Sequence, residues 1–480
     1  MYKHGVYVAE QASTLSTPKT STAGLVVAVG TAPVNKAQNP AAAVNAPVIA
    51  YSYAEAAAQL GFDSDFKAYT LCGVVSAFFQ VVGVGPIVCI NVLDPAKHTA
   101  DIPETECQIN KGVAKLEVSG AVLDQLVVKA AGQALTAGTD YAAAFNDDGG
   151  VDIAVAADGK GKDATTLTVS GKKLDPGKVT KADIVGGVDA AGKETGIEVV
   201  RQVYPAFDMV PGILIAPGYS KEPEVAAALQ AKTANLNGVF SCICIAEIDS
   251  GATGCTQYTK VGAQKEKQAI TSKNAYAVWL HKMLGSAFYY GSTAAAAIMV
   301  RTDSENNGIP NRSPDNKSDP FGVSCLEDGT EVLLDVEQAN AVNAVGAATF
   351  AKAGGQKLWG PDSAAAPGTS DPKDQQIGVR RFLIWRANSF ILTYFSKVGD
   401  PMNRALVDNV VDGENINGNK FKALGICAED RIEYREEENP ITELAGGYIK
   451  FHHICTPFPG TKAIDDLIEF DANAIATALS

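Results

Sequence analysis

The stretch GLVVAVG, residues 24–30, is the first continuous apolar run of the 480-residue chain. Its short length, its valines and its flanking glycines predict a β-strand that is buried on both faces. A second run of this kind, PIVCINVL (86–93), follows two predicted helices, SYAEAAAQLG (52–61) and FKAYTLCGVVSAFFQVVG (66–83). A strand, two helices and a further strand are typical of an α/β layer, so residues 23–100 are predicted to begin an α/β core.

The residues before this strand have a different pattern. In HGVYVAEQ, which starts at residue 4, His4, Val6 and Val8 alternate with Gly5, Tyr7 and Ala9, as they would in a strand. Residues 12–22 are mostly Ser, Thr, Pro, Lys and Ala, with little to bury. Residues 1–22 are therefore predicted to be an N-terminal arm and linker, and the arm contains a strand that has no sheet nearby in the sequence.

The chain after residue 100 divides into three predicted parts. Residues 101–200 contain short alternating runs between Gly and Asp turns, which predict a small all-β sandwich inserted into the parent domain. Residues 201–362 return to an α/β pattern and form a predicted middle domain, with a loop at 363–376. Residues 377–480 form a predicted C-terminal domain, with a long amphipathic helix beginning at VRRFLIW (379–385) and an extended terminal arm.

Composition excludes several classes of protein. The net charge of −14 opposes extended binding to nucleic acid, which requires neutralised phosphates. No apolar run reaches the roughly 18 residues of a membrane helix, and the first 20 residues lack the pattern of a secretion signal. Nine scattered cysteines are consistent with reduced thiols and a cytoplasmic folding compartment.

Motifs for catalysis, cofactor binding or metal binding are not found in the sequence. Cys242 and Cys244 have no second pair at zinc spacing and are predicted to be buried in a strand. The consecutive His452 and His453 are predicted to face opposite sides of a strand, and GVGPIV (83–88) is predicted to be a turn. Two carboxylates at predicted strand ends, Asp249 and Asp303, are weak catalytic candidates because no partner motif accompanies them.

Charged residues cluster in the last quarter of the chain. The segment 429–438 carries six acidic residues and two arginines, and the preceding predicted helix carries three arginines. These residues form either a solvated face or an electrostatic contact surface, and the sequence alone does not rank the two. The candidate contact charges are Arg380, Arg381, Arg386, Glu436, Glu437 and Glu438.

Both ends of the chain carry a resemblance to a known family. HGVYVAEQ, the spacer and GLVVAVGTAPVN (24–35) resemble the start of the contractile tail sheath proteins of myophages and R-type bacteriocins. VRRFLIW and ENPITELAGGYIKFHHICTPFPGTKAIDDLIEF (438–470) resemble the closing pattern of that family, and GIPNRSPDNK (308–317) resembles a loop of its middle domain. The resemblance covers about residues 1–95 and 201–480.

The resemblance implies a structural protein that has no enzymatic activity and needs no cofactor. Subunits of this family form hexameric rings, stacked as a helical cylinder around an inner tail tube, with the baseplate and the tail terminator at its ends. The particle is a virion tail or a bacteriocin-like device assembled in the host bacterial cytoplasm. Contraction from a metastable extended state drives the tube through the target envelope, without nucleic-acid binding or membrane insertion by the sheath.

The resemblance also implies functions for the two arms and for the insertion. Each arm would add a strand to a sheet of a neighbouring subunit, and the Ser/Thr/Pro spacer would act as a hinge. Residues 101–200 would project outward, and the candidate charges would face the tube or a neighbour. The arm residues are His4, Val6, Tyr7, Val8 and Ala9 at the N-terminus, and Ile464, Leu467, Ile468 and Phe470 at the C-terminus.

Two other functions remain open from the residues alone. One is a different strand-exchanging assembly protein, such as a capsid or surface-layer subunit. The other is an α/β hydrolase-like enzyme with a β-sandwich accessory domain. The fold prediction common to all three is a multi-domain α/β protein with an inserted all-β domain and extended arms at both ends.

Overall fold

The structure, a computed structural model, describes residues 22–146 and 148–479. The predicted N-terminal strand, with His4, Val6, Tyr7, Val8 and Ala9, lies outside the described residues, and its function stays a prediction.

A six-stranded sheet forms the centre of the molecule. The strand predicted from GLVVAVG is confirmed as Val26–Gly30, and all five of its residues are buried. It lies in the middle of the sheet and pairs in parallel on both sides. In order across the sheet the strands are Ala275–Trp279, Ile243–Ile248, Ile213–Ile215, Val26–Gly30, Ile87–Asn91 and Pro47–Ala50, and only the last pair is antiparallel. Residues 23–100 and 201–362 therefore share one sheet and form a single main domain, which corrects their prediction as separate parts.

Helices cover this sheet. They are Tyr53–Leu60, Thr70–Val75 with a π-helical continuation over Ser76–Val82, Pro223–Thr233, Val261–Lys267 and Gly291–Ser304, while the helix Val336–Asn343 packs on the strand Thr349–Lys352. The prediction that Asp303 ends a strand is wrong, because Asp303 lies in the helix Gly291–Ser304. Four consecutive alanines, the residue with the highest helix propensity, occupy 294–297 and are buried against the sheet.

Two small sheets complete the main domain. Their strands are His281–Leu284, Ala287–Tyr289 and Val323–Cys325 in one, and Lys317–Ser318, Thr349–Lys352 and Gln356–Trp359 in the other. A fully buried ion pair links Lys282 of the first sheet to Asp319, which directly follows the strand Lys317–Ser318 of the second, with Nζ and Oδ2 2.6 Å apart.

The inserted domain is all-β and has its own apolar core. Its seven strands form one continuous antiparallel sheet, whereas the sequence predicted a sandwich of two sheets. The long strand Thr99–Asn110 pairs with different neighbours at its two ends, which joins the two halves into one sheet. The other strands are Val113–Leu116, Val127–Ala130, Gln133–Ala134, Tyr141–Phe145, Val151–Val155 and Thr166–Leu174.

The insertion ends earlier than predicted. After Leu174 the chain forms the helix Lys181–Val185, a hairpin of two short strands (Gly187–Val188 and Glu194–Thr195), a 3-10 segment Gly196–Gln202 and the helix Val203–Phe207. Ile184 and Val199 from this region are completely buried in the core of the main domain. The predicted boundary at residue 200 is therefore wrong by about 25 residues, because the apolar residues after residue 175 pack into the core of the main domain and not into that of the insertion.

The last hundred residues form what we call the C-terminal unit, beginning at the helix Ile377–Tyr394. Its remaining elements are the helix Arg404–Ala423, the antiparallel strands Cys427–Glu433 and His452–Pro457, the short helix Ile441–Ala445 and the helix Ala472–Ala478. The helix Ile377–Tyr394 was predicted to be amphipathic, but it is buried on most sides because it lies between two cores: Ile384 packs on the main core and Phe382 on the C-terminal one. Among the described residues, no helix combines the length and the apolar character needed to cross a membrane.

Candidate assembly site in the C-terminal unit

The strands Cys427–Glu433 and His452–Pro457 form a two-stranded sheet, which we call the terminal hairpin. One of its faces, with Asp430 and Ile432, packs on the two long helices of the C-terminal unit. Gly418 allows the helix Arg404–Ala423 to approach, since a Cβ atom there would lie 2.0 Å from the Asp430 carbonyl oxygen. A two-stranded sheet alone is marginally stable in water, so these helices supply most of its support.

The same helix closes one edge of the hairpin. The Asn415 side chain accepts a hydrogen bond from the Ile432 N–H at 2.9 Å and donates one to the Ile432 carbonyl at 3.0 Å. Both outward-facing backbone groups of Ile432 are thereby occupied. The outer edge of Cys427–Glu433 is therefore protected against pairing with a further strand.

The opposite edge, along His452–Pro457, is open. Because backbone groups alternate in an antiparallel ladder, His453, opposite Ile432, and Cys455, opposite Asp430, direct their N–H and C=O groups away from the partner strand. Within residues 22–146 and 148–479, the structure gives these backbone groups no hydrogen-bond partner. This edge can accept one additional strand.

A buried ion network joins the hairpin to both long helices. The Arg386 guanidinium donates to both Asp430 oxygens at 3.0 Å and to Glu414 Oε2 at 2.9 Å. The side chains of all three residues are at most 4% exposed. His453 Nε2 lies 2.8 Å from Asp430 Oδ1, and the guanidinium also stacks over Phe421 at 5.2 Å. Each buried charge is thus paired, as burial requires.

These contacts change the titration of Asp430. Burial alone would raise the pKa of its carboxyl, but the hydrogen bonds from His453 and Arg386 outweigh burial and hold the pKa below its ordinary value. Asp430 is therefore a charged anchor at neutral pH.

The predicted charged stripe does not form on the surface. Arg381 is buried in an ion pair with Asp303, which ties the C-terminal unit to the main domain. Arg386 is buried in the network above, and Arg380 is half-buried against Asn274 and Asp374. Their candidate function as tube-facing or neighbour-facing charges is therefore corrected for Arg381 and Arg386, because each has a buried carboxylate partner.

The acidic part of the predicted stripe is on the surface. Glu436 and Glu437 are exposed, whereas Glu438 is half-buried and pairs with Arg435 and His452. A contact function for these glutamates stays a prediction.

The predicted C-terminal arm leaves the body of the protein after the hairpin. Residues 458–471, which we call the C-terminal segment, contain neither helix nor strand. Its predicted contact residues are apolar and almost fully exposed: Ile464 90%, Leu467 93%, Ile468 89% and Phe470 79%. Gln376 holds the start of the segment through two hydrogen bonds with the backbone of Gly460, and Lys462 pairs with Asp362 at 2.7 Å.

The remaining sequence motifs have structural functions. Cys242 and Cys244 are completely buried in the strand region beside Ile243, as predicted. His453 pairs with Asp430 and His452 with Glu438, so the two histidines face opposite sides of their strand, as predicted. Asp249 accepts a hydrogen bond from the Gly251 N–H within its own turn.

The sequence did not point to Asn415, Glu414 or Gly418, and Asp430 was noted only as part of the charged segment 429–438. A signal existed for two of them: Val410, Glu414, Gly418 and Phe421 follow the four-, four- and three-residue spacing of a buried helix face. A glutamate on such a face requires a buried cationic partner, and Arg386 provides it.

The chain is similar to known proteins over nearly its whole length, although no protein-family model matches it. It is 27% identical to the tail sheath protein of Burkholderia phage BcepMu over 99% of this chain and 98% of that protein. It is 26% identical to a putative prophage major tail sheath protein of Pseudomonas aeruginosa strain UCBPP-PA14, over 68% of this chain and 82% of the relative.

Solved structures with the same fold include sheath proteins. The fold matches a chain of an extracellular contractile injection system sheath complex in the contracted state, with a TM-score of 0.58 and 12% identity over 99% of both chains. It matches the sheath tail protein of Desulfitobacterium hafniense with a TM-score of 0.55 and 13% identity, over 95% of this chain and 100% of that one. The chain is thus similar in sequence to tail sheath proteins over nearly its whole length and shares the fold of solved sheath proteins, as the resemblance at its two ends predicted.

Proposed function

We propose that this protein is the structural subunit of a contractile tail sheath, which forms hexameric rings stacked around an inner tail tube. The observation that carries the proposal is the run Ile464–Phe470, with four exposed apolar side chains, in the same chain as a hairpin with one open edge. Such a run is an interaction element, since a soluble subunit has no other use for so much uncovered apolar surface.

Strand addition explains both features together. In an extended conformation, Ile464, Ile468 and Phe470 share one face of the segment with Asp466, while Asp465, Leu467 and Glu469 share the other. Pairing along His452–Pro457 of a second copy would satisfy the open edge and cover the apolar face. Because Asn415 closes the other edge, a hairpin accepts a strand only along His452–Pro457 in the conformation described here.

Donated strands of this kind would allow the sheath to contract without separating its subunits. A strand held by backbone hydrogen bonds keeps neighbouring subunits connected while their rigid bodies rotate. The energy would come from interfaces that are better satisfied in the contracted state than in the extended one, without a nucleotide. As the resemblance to the sheath family implies, this chain would contact an inner tube, a baseplate and a tail terminator, in a phage tail or a bacteriocin-like particle assembled in the bacterial cytoplasm.

The N-terminal strand with Val6 and Val8 is proposed as a second donated strand, and the inserted domain is proposed to face outward. The enzyme alternative is less well supported, because its two candidate carboxylates have structural partners. Asp303 is paired with Arg381, and Asp249 organises its own turn.

The experiment is negative-stain electron microscopy of the purified full-length protein at increasing concentration. Tubes or stacked rings support the proposal. A uniform monomer or dimer at high concentration contradicts it.

A pair of matched variants tests the C-terminal segment. Replacing Ile468 and Phe470 by Asp should leave a folded monomer that forms no tubes. The control replaces Asp465 and Asp466 of the same segment by Asn and should still assemble. If the Ile468 and Phe470 variant assembles like the wild type, the segment is not the donated strand.

A further inference from the structure

Two cysteines lie side by side on the inner face of the terminal hairpin, one on each strand. Cys455 is directly opposite Asp430 in the strand register, and a bulge between Cys427 and Glu429 shifts the register beside it. The two sulfur atoms and an Asp430 oxygen all lie within 4.8 Å of one another. Both cysteines also contact the apolar cluster that contains Phe421.

This pair differs from the other cysteines in its accessibility. All nine cysteines lie in the described part of the chain, and Cys455 alone among them is not fully buried. Cys455 is therefore the more accessible cysteine of the pair, and Cys427 is buried. By contrast, Cys242 and Cys244 lie two residues apart on one extended run, where the spacing of roughly 7 Å between Cα atoms disfavours a disulfide.

We propose that Cys427 and Cys455 form a disulfide when the protein meets a small-molecule disulfide such as oxidised glutathione. The Cys455 thiolate attacks one sulfur of the reagent and expels one glutathione thiolate. Cys427 then loses its proton, attacks the Cys455 sulfur and expels the second glutathione. The protein loses two protons and two electrons, and the reagent takes up both and is reduced to two thiols.

The disulfide would cross-link the two strands of the hairpin close to the start of the C-terminal segment. Cys455 lies two residues before Pro457, the last residue of its strand, and the Phe458 N–H then donates to the Ile426 carbonyl at 3.0 Å. A covalent link here fixes the position from which the segment leaves the body. The inference concerns the site alone and holds whether or not the chain assembles as proposed above.

The surroundings of Cys455 predict how fast the bond forms. Its hydrogen bond with Cys427 and its burial raise the pKa of the Cys455 thiol well above the ordinary value. Since the thiolate is the attacking species, the reaction should be slow at neutral pH and should accelerate about tenfold for each pH unit in the range below the thiol pKa.

The test uses the full-length protein with excess oxidised glutathione at about pH 7 and about pH 8.5. Free thiols are then capped with N-ethylmaleimide, and the protein is digested with trypsin without reductant. The expected product is the peptide Ala423–Arg431 linked to Phe451–Lys462, at a mass two hydrogens below the sum of the two peptides. It should form faster at the higher pH.

Two variants and one further measurement complete the test. Cys455→Ser should abolish the linked peptide, and the control Cys242→Ser should leave it unchanged. The oxidised wild type should unfold at a higher temperature than the same sample after reduction, and Cys455→Ser should show no such difference. Glutathione on Cys455 with Cys427 still capped by maleimide would overturn the proposal, as would a lower unfolding temperature in the linked form.

Discussion

Removing the Arg386 guanidinium should selectively destabilise the C-terminal unit. In Arg386→Ala, Asp430 and Glu414 remain buried, with side-chain exposures of 0% and 2%, and lose their shared cation. Breaking a buried ion pair by removing one partner costs about 3–5 kcal/mol, and the lower end applies here because His453 still contacts Asp430. A loss of about 3 kcal/mol corresponds to roughly a hundredfold increase in the population of the opened hairpin.

Hydrogen exchange followed by mass spectrometry measures this opening directly. Amides of Cys427–Glu433 should exchange about a hundred times faster in Arg386→Ala, whereas amides of the central strand Ile243–Ile248 should be unchanged. The matched control is Arg404→Ala, which removes an arginine that is 81% exposed from its pair with Asp408. Such a pair contributes about 0.3–0.5 kcal/mol, so exchange should change by no more than about threefold.

The result that refutes this reasoning is equal exchange in the two variants. It would mean that the network is not what holds the hairpin to the helices. Arg386→Lys adds a second check: it retains the charge but loses the paired geometry with Asp430, and it should fall between the wild type and Arg386→Ala.

Three other perturbations follow from the structure. Deleting residues 99–174 and joining the ends with a short glycine linker should leave a main domain that is folded by circular dichroism. Deleting residues 101–200 should unfold the main domain, because it removes core residues of that domain. If both products are equally folded, the inserted domain does not end near residue 174. Burial lowers the pKa of His281 to about 3. The contribution of neutral His281 to the free energy of unfolding is therefore fully present above the unfolded-state pKa of about 6.5 and is lost as pH falls toward 3, by about 2 kcal/mol at pH 5. Denaturant titrations at pH 7.5 and 5 should show that His281→Asn, which can still accept the Gly291 N–H bond, reduces this loss; an unchanged difference between the two pH values would refute it. Gly418→Ala should increase hairpin exchange, because its Cβ would meet the Asp430 carbonyl, and unchanged exchange would show that the helix can move away freely.

The sequence predicted the fold well wherever local patterning decides it. Val26–Gly30 and Ile87–Asn91 are central strands covered on both faces, and such strands are continuous apolar runs that can be recognised without knowing their neighbours. The inserted all-β domain was recognised from its short alternating strands for the same reason. Its end was misplaced because Ile184 and Val199 are apolar residues whose core lies in a different domain.

The candidate site was harder to predict because its partners are distant in sequence. Arg381 and Arg386 look like surface charges on a helix until Asp303 and Asp430, 78 and 44 residues away, are known to meet them. Asn415 resembles any polar helix residue, and its function appears only once the edge of the hairpin lies beside it. The C-terminal arm was predicted from the resemblance of residues 438–470 to the closing pattern of the sheath family, and its apolar residues are exposed in the structure.

The anchoring of the C-terminal segment sets a limit on distance. Gln376 and Asp362 hold the chain at Gly460 and Lys462, so free chain begins at residue 463. From there to Phe470 an extended backbone spans about 27 Å, and only one residue separates the anchor from Ile464. If Ile464–Phe470 pairs with a second copy, the hairpin that receives it must begin within about 7 Å of Lys462. The segment would then limit the distance between neighbouring C-terminal units. These units could rotate against one another, but they could not move apart by more than about the length of one residue without breaking the strand pairing.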